Sequence, residues 1–298
     1  MKPAARPAAF LLALALSTTG CAIGGSAASP GTPTPSPQPS PDPGTYWLRA
    51  TYRQALPPLD VFGQLPMVVI TGNGTVVAPA PVPAIYPGPA VVPLSGRTIS
   101  EAGRLAIVNA ARTLGLLGGS GDFTGGRIAP GGVTGRLELT VDGRRLTIAG
   151  NPQAPTGCTS SPCNPPAGSP AAFAELWRRL GDLQSWIGPE LGNQGTYDPP
   201  TYAVLVGPAP NGDPALPQAP AIWPLPQPIA LFGGPVANGQ ARCGLVSGTD
   251  AATFRVALQN ANGLTPWHQD VSTNATFGLT VRPMVPGEDA CRETFGPA

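Results

Sequence analysis

The chain has 298 residues, of which 17 are basic and 16 acidic, and its formal charge at pH 7 is +1. So small a net charge gives no electrostatic reason to expect nucleic acid or an anionic membrane surface as partner. Lys2 is the only lysine and His268 the only histidine, which excludes a P-loop lysine, a lysine Schiff base in a mature chain, and multi-histidine metal sites. Glycine (39) and proline (41) are both abundant. Together they make roughly a quarter of the chain, where average proteins carry about 12%, so much of it must be linker and loop.

At the amino terminus Lys2 and Arg6 precede an apolar run from Ala8 to Leu16, and Ser17-Thr18-Thr19-Gly20 leads into Cys21. A positive segment, an apolar core and small residues before a cleavage point make a secretory signal peptide. The core is too short for a membrane span, which needs about 20 residues. With Cys directly after Gly20, residues 1–20 resemble a bacterial lipoprotein signal, which implies that Cys21 becomes the lipidated (palmitate-bearing) terminus. Thr18 departs from the leucine favoured three residues before that cysteine. The alternative is ordinary secretion with cleavage after Ser26-Ala27-Ala28. Residues 21–44 then read as a Pro/Ser/Thr-rich linker, SAASPGTPTPSPQPSPDPG from Ser26 to Gly44. Such stretches adopt extended polyproline II at about 3.1 Å per residue and act as semi-stiff spacers.

After the linker the hydrophobic period switches repeatedly. Thr45 to Tyr52 is strand-like, and Met67–Ile70 and Thr75–Val77 flank a Gly72-Asn73-Gly74 turn, a hairpin signal. Ser100 caps an expected helix with Ile107, Val108, Ala111 and Leu114 on one face, stopped by Gly118-Gly119. Leu137, Leu139 and Val141 alternate up to Asp142-Gly143, and Leu146 and Ile148 return as a second hairpin. Ser169 and Pro170 open a helix whose apolar stripe runs from Phe173 through Trp177 to Trp186. Tyr202–Val206 and Cys243–Val246 read as strands. Thr249 or Asp250 caps a helix with Phe254 and Leu258 inward, and Phe277, Leu279 and Val281 alternate as a last strand. These runs predict an α+β fold: two small modules of antiparallel sheet with helices packed on one face. The first module is expected over 45–192 and the second, β-α-β, over 193–298, meeting near Gly192 to Pro200.

With Cys21 assigned to lipid, four cysteines remain, an even number in an exported chain. Spacing favours two disulfides, Cys158–Cys163 and Cys243–Cys291. Zinc at Cys158-x4-Cys163 competes, but no second ligand pair stands nearby.

Catalytic signals are sparse. There is no Gly-x-Ser-x-Gly elbow, and the glycine clusters at 118–121, 125–126 and 131–132 do not open a helix after a strand, as a dinucleotide loop must. His268, Asp270 and Ser272 can be written as a triad, but triads are recognised by geometry. Glu288-Asp289 is the one adjacent acidic pair. It reads more simply as a solvated turn, since glycosidase carboxylates flank a sugar from opposite faces. No catalytic residue, metal or cofactor is assigned. Tyr202, Trp223 and Trp267 are candidates for a binding groove, with core packing the competing role.

The stretch Gly72-Asn-Gly-Thr75, Ile99-Ser-Glu101 and the Asp142-Gly143 hairpin resembles uncharacterised secreted lipoproteins of actinobacteria. So do Arg242-Cys-Gly244, Asn262-Gly-Leu-Thr-Pro-Trp267 and Val281-Arg-Pro-Met-Val-Pro286. The resemblance implies a Cys243–Cys291 pairing and an envelope location and carries no assigned activity. The expected function is a non-catalytic binding or presentation module. It would be anchored by lipid to the outer face of the cell membrane, its partner an envelope protein, peptide or glycan. The alternative is an exported hydrolase using the acidic pair or His268.

Overall fold

In a strand, successive side chains point to opposite faces, so alternation decides which face can bury a helix. The computed structural model describes residues 45–126, 132–157, 164–209, 215–272 and 274–296. The signal segment 1–20, Cys21, the linker through 44, and Cys158 and Cys163 lie outside the described residues.

The first sheet and its helices comprise β1 (Tyr46–Gln54), α1 (Pro58–Val61), β2 (Val68–Thr71), β3 (Thr75–Pro79), β4 (Leu94–Thr98), α2 (Glu101–Thr113), β5 (Gly121–Phe123), β6 (Val133–Val141), β7 (Arg144–Gly150), α3 (Pro170–Gly181), α4 (Leu183–Ile187) and β8 (Gly195–Tyr197). Its strand order is β5-β7-β6-β1-β2-β3-β4-β8, antiparallel apart from the parallel β5–β7 pair. The second group comprises β9 (Thr201–Pro208), β10 (Ala221–Ile222), β11 (Gly234–Val236), β12 (Ala241–Ser247), α5 (Gly248–Gln259), β13 (Trp267–His268), β14 (Phe277–Pro283) and α6 (Ala290–Phe295). These strands order as β10-β13-β14-β9-β12-β11. The fold is α+β, built on two largely antiparallel sheets. The described residues fall in one compact unit. The first sheet takes residues through Tyr197 by pairing β8 with β4, and the second begins at Thr201, so the change of sheet falls in the stretch around Gly192 to Pro200.

One face of the first sheet packs Leu48, Ile70, Leu137, Leu139 and Ile148 against Ile107, Val108, Phe173, Leu176 and Trp177 of α2 and α3. Both helices begin as expected. The Ser100 hydroxyl accepts from Gly103 N at 3.1 Å and the Ser169 hydroxyl from Ala172 N at 3.1 Å. The first ends earlier than Gly118, at Leu114, where Gly115 takes φ +70°. The expected long helix after Ser169 is broken at Asp182, whose side chain caps a separate α4 by accepting from Ser185 N. In the second sheet α5 covers Tyr202, Val204 and Val246 through Phe254 and Leu258. Ser247 occupies its cap position without a side-chain hydrogen bond, in place of Thr249 or Asp250.

The seat for α3 is set by two glycines. Gly135 and Gly150 are paired across β6 and β7, which leaves a bare floor where the Phe173 and Trp177 rings stack at 5.5 Å. A Cβ on Gly135 would stand 2.7 Å from the Trp177 ring, and one on Gly150 would enter the Phe173 ring. Gly150→Ala is therefore an overpacking change, and such changes cost about 1–3 kcal/mol. Urea unfolding should show a loss of about that size; wild-type stability in this variant would mean that α3 is free to lift.

The opposite faces of the two sheets carry charge. Arg49 of β1 donates through Nε to Glu138 of β6 at 2.8 Å and through Nη1 to both oxygens of Glu293 of α6 at 2.9 Å. Arg136 adds a 3.0 Å bond to Glu138, and the Tyr46 hydroxyl donates to it at 3.1 Å. Burial pushes the Glu138 carboxyl up, but Arg49 and Arg136 outweigh it and hold the group below its ordinary 4.5. The unfolded chain therefore takes up this proton at a higher pH than the folded chain does, and stability is lost as pH falls below about 4.5. Glu138→Gln should cost about 3 kcal/mol at pH 7, since it removes one of the two carboxylates that meet the buried Arg49. By pH 3.5 the gap to wild type should have narrowed in urea unfolding; a gap that stays constant would show that the carboxylate charge is not what holds Arg49.

Candidate functional site

Cys243 lies on β12, and its disulfide to Cys291 spans 48 residues of sequence. Closing a loop of that length removes unfolded-state entropy equivalent to about 4 kcal/mol. The bond brings α6 against β12 and against the short edge strand β11. Locally α6 forms because the Asp289 carboxylate accepts from Arg292 N at 3.1 Å and closes the first turn. Gly296 ends it at φ +83°. Cys291 and Phe295, four residues apart on one helical face, both point into the fold. Phe295 stacks on Phe62 at 5.9 Å. On another face Glu293 reaches Arg49.

Between α6 and the β11–β12 connection lies an open cavity of about 750 Å³. Pro235, Val236, Phe295 and the disulfide give it apolar walls, and Asn238, Asp289 and Arg292 give it polar ones. This volume lies in the range of about 300–1,000 Å³ usual for small-ligand sites. Arg292 is exposed; its backbone N–H donates to Asp289 and its carbonyl accepts from Gly296 N at 2.9 Å. At the rim, Ala237 (φ 51°), Asn238 (φ 57°) and Gly239 (φ 82°) are consecutively left-handed. Asparagine and glycine tolerate that region, but alanine is strained there by roughly 1–2 kcal/mol. Backbone strain of this kind concentrates at functional sites.

A smaller cavity of about 430 Å³ lies between the end of α2 and the β6–β7 turn, lined by Arg112, Asp142 and Arg144 among others. There the Arg112 guanidinium is already engaged by Asn109 at 2.7 Å.

The residues singled out from the sequence are distributed differently. Tyr202, Trp223 and Trp267 are only 3%, 3% and 2% exposed, so they form no binding groove. Trp223 packs edge-on against Phe232 and Phe254 and donates its indole N–H to the Gln227 carbonyl at 2.7 Å. Tyr202 meets Phe254 at 6.0 Å and Trp267 meets it at 6.3 Å. All three pack in the layer between α5 and the second sheet, around Phe254.

The acidic pair is split, and only half of it is a solvated turn. The Glu288 side chain is wholly buried and ion-paired with Arg282, which also donates to the Phe62 carbonyl at 3.0 Å. Burial raises the Glu288 pKa and outweighs the pull of Arg282. Asp289 faces solvent as the α6 cap. His268 lies on β13, where its carbonyl accepts from Trp223 N at 2.8 Å. The Ser272 hydroxyl donates to Asp270 at 2.6 Å, whereas a triad serine gives its proton to histidine. No group of three or more His, Cys, Asp or Glu able to hold a metal occurs among the described residues.

No protein-family model, curated protein or solved structure matches this chain. The site therefore rests on its geometry. Arg292, Phe295 and Val236 were not recognised from the sequence, where only the pairing of Cys243 with Cys291 hints that their neighbourhoods meet.

Ala237→Gly removes the strained Cβ at the cavity rim and should raise stability by about 1 kcal/mol. A stability unchanged or lowered in urea unfolding would show that φ 51° costs this alanine nothing.

Proposed function

We propose that this chain is a lipid-anchored envelope protein that binds and presents a ligand without turning it over. The observation that carries the reading is how its buried carboxylates are used. Glu138 is engaged by Arg49 and Arg136, Glu175 by Arg178 and Arg179, and Glu288 by Arg282. Acid–base work needs a carboxyl free to exchange a proton with a substrate. Carboxylates held by guanidinium groups within the fold serve packing and orientation instead. The cavity beside the disulfide stays open to solvent, with apolar walls joined by Asn238, Asp289 and Arg292, a composition suited to holding a ligand.

The disulfide agrees with an oxidising, extracytoplasmic compartment. The amino-terminal signal, with Cys21 directly after Gly20, and the proline-rich linker agree with an anchored protein held off a membrane. Among the described residues no helix is long and apolar enough to cross one. The likeness of the sequence motifs to actinobacterial secreted lipoproteins belongs to this proposal too.

Mass spectrometry of the exported protein should find diacylglycerol on Cys21, and Cys21→Ala should move the protein from the membrane fraction to the medium. A mature terminus at Ser29 would overturn the anchor. Incubated with envelope extracts, the purified protein should return its bound ligand chemically unaltered. Conversion of any envelope component, lost in a Glu288→Gln variant that still folds, would instead make the chain a hydrolase.

A further inference from the structure

We infer that the cavity between α6 and the β11–β12 connection binds the carboxyl-terminal end of a peptide whose last residue is apolar. This deepens the binding reading and rests on it.

The class of ligand follows from the charges and walls of the cavity. Arg292 lines the cavity and offers a planar set of donors, and the two hydrogen bonds it makes within α6 are both through its backbone. A carboxylate matches such a fork with two parallel hydrogen bonds. Three residues earlier, the Asp289 carboxylate lines the same cavity. It already accepts the Arg292 backbone N–H. Pro235, Val236, Phe295 and the disulfide form the apolar part of the wall, which takes a side chain next to that carboxylate.

The rim separates a peptide from a fatty acid. Asn238 presents an exposed amide side chain along one edge, while the Ala237 carbonyl there already accepts from Gln240 N at 3.2 Å. Peptide N–H and C=O groups replace the water on such an amide hydrogen bond for hydrogen bond. An acyl chain would remove the water and return nothing, at the cost of leaving polar groups unsatisfied. β11 itself is a poor template for strand addition, since its middle residue, Pro235, has no N–H to donate. Recognition therefore centres on the terminal carboxylate and the last side chain.

The test uses the full mature chain and isothermal titration with acetyl-Gly-Ala-Val, as the free acid and as the carboxyl-terminal amide, with decanoate as a third probe. The acid should bind about tenfold or more tightly than the amide, the factor expected when a charge-assisted hydrogen bond is lost. Arg292→Ala should abolish that preference and leave the melting temperature near wild type, because its side chain is exposed. Equal binding of acid and amide, a preference that survives in Arg292→Ala, decanoate binding more tightly than the peptide acid, or no heat from any probe at millimolar concentration would each overturn the assignment. Chromatography of the peptide after titration keeps the two readings apart. Intact peptide that does not bind defeats this ligand class alone, whereas cleaved peptide defeats the non-catalytic reading.

Discussion

Arg49 is the residue on which the arrangement of this molecule turns. It sits on the face of β1 away from the helices and is almost wholly buried, so its charge has to be met by protein groups. Burial by itself would lower its pKa, but Glu293 and Glu138 more than compensate and raise it. One partner lies on the neighbouring strand and the other on α6, near the carboxyl end of the chain. Removing a partner from a buried ion pair costs about 3–5 kcal/mol because a charge is then left uncompensated. That penalty ties α6 to the first sheet, while the disulfide ties it to the second. The Arg282–Glu288 pair repeats the device one turn of chain earlier.

The cavity is a consequence of this double tether. A six-residue helix has too little internal stability to exist without its contacts. Its position between β12, β11 and α1 follows from Cys291, Glu293 and Phe295 acting together. Once it is held there, the short β11 strand and the left-handed turn after it have no side chain large enough to close the space. The disulfide thus lies in the wall of the cavity as well as at the foot of the helix. Asp289 accordingly both caps the helix and lines the cavity.

How far the sequence could be read depended on the length of each element. The hairpin about Gly72-Asn73-Gly74, the hairpin about Asp142-Gly143 and the helices opened by Ser100 and Ser169 were all legible, because period and cap agree over many residues. Short elements, β8, β11 and α6 among them, were not. Three to six residues hold too few repeats to show a period, and they form only because longer neighbours offer a surface or a hydrogen-bonding edge. Trp223 and Trp267 were ambiguous for another reason. A large ring beside prolines suits a groove as well as a core, and only the Phe254 ring on the inner face of α5 decides between them. Glu288 and Asp289 show the limit most clearly, since two adjacent acids in a turn have opposite surroundings.

By itself the sequence determined the α+β class, most of the long strands and helices, and the pairing of Cys243 with Cys291. Those properties come from local periodicity, capping and the small number of cysteine partners available, all of which can be counted along the chain. Tertiary structure alone decided which carboxylates are buried against arginines, that the three aromatic candidates are core, and that Arg292 opens onto a cavity. Each of these depends on what a distant segment brings to within a few ångströms. Burial and charge pairing are properties of that neighbourhood, and no residue type or spacing carries them.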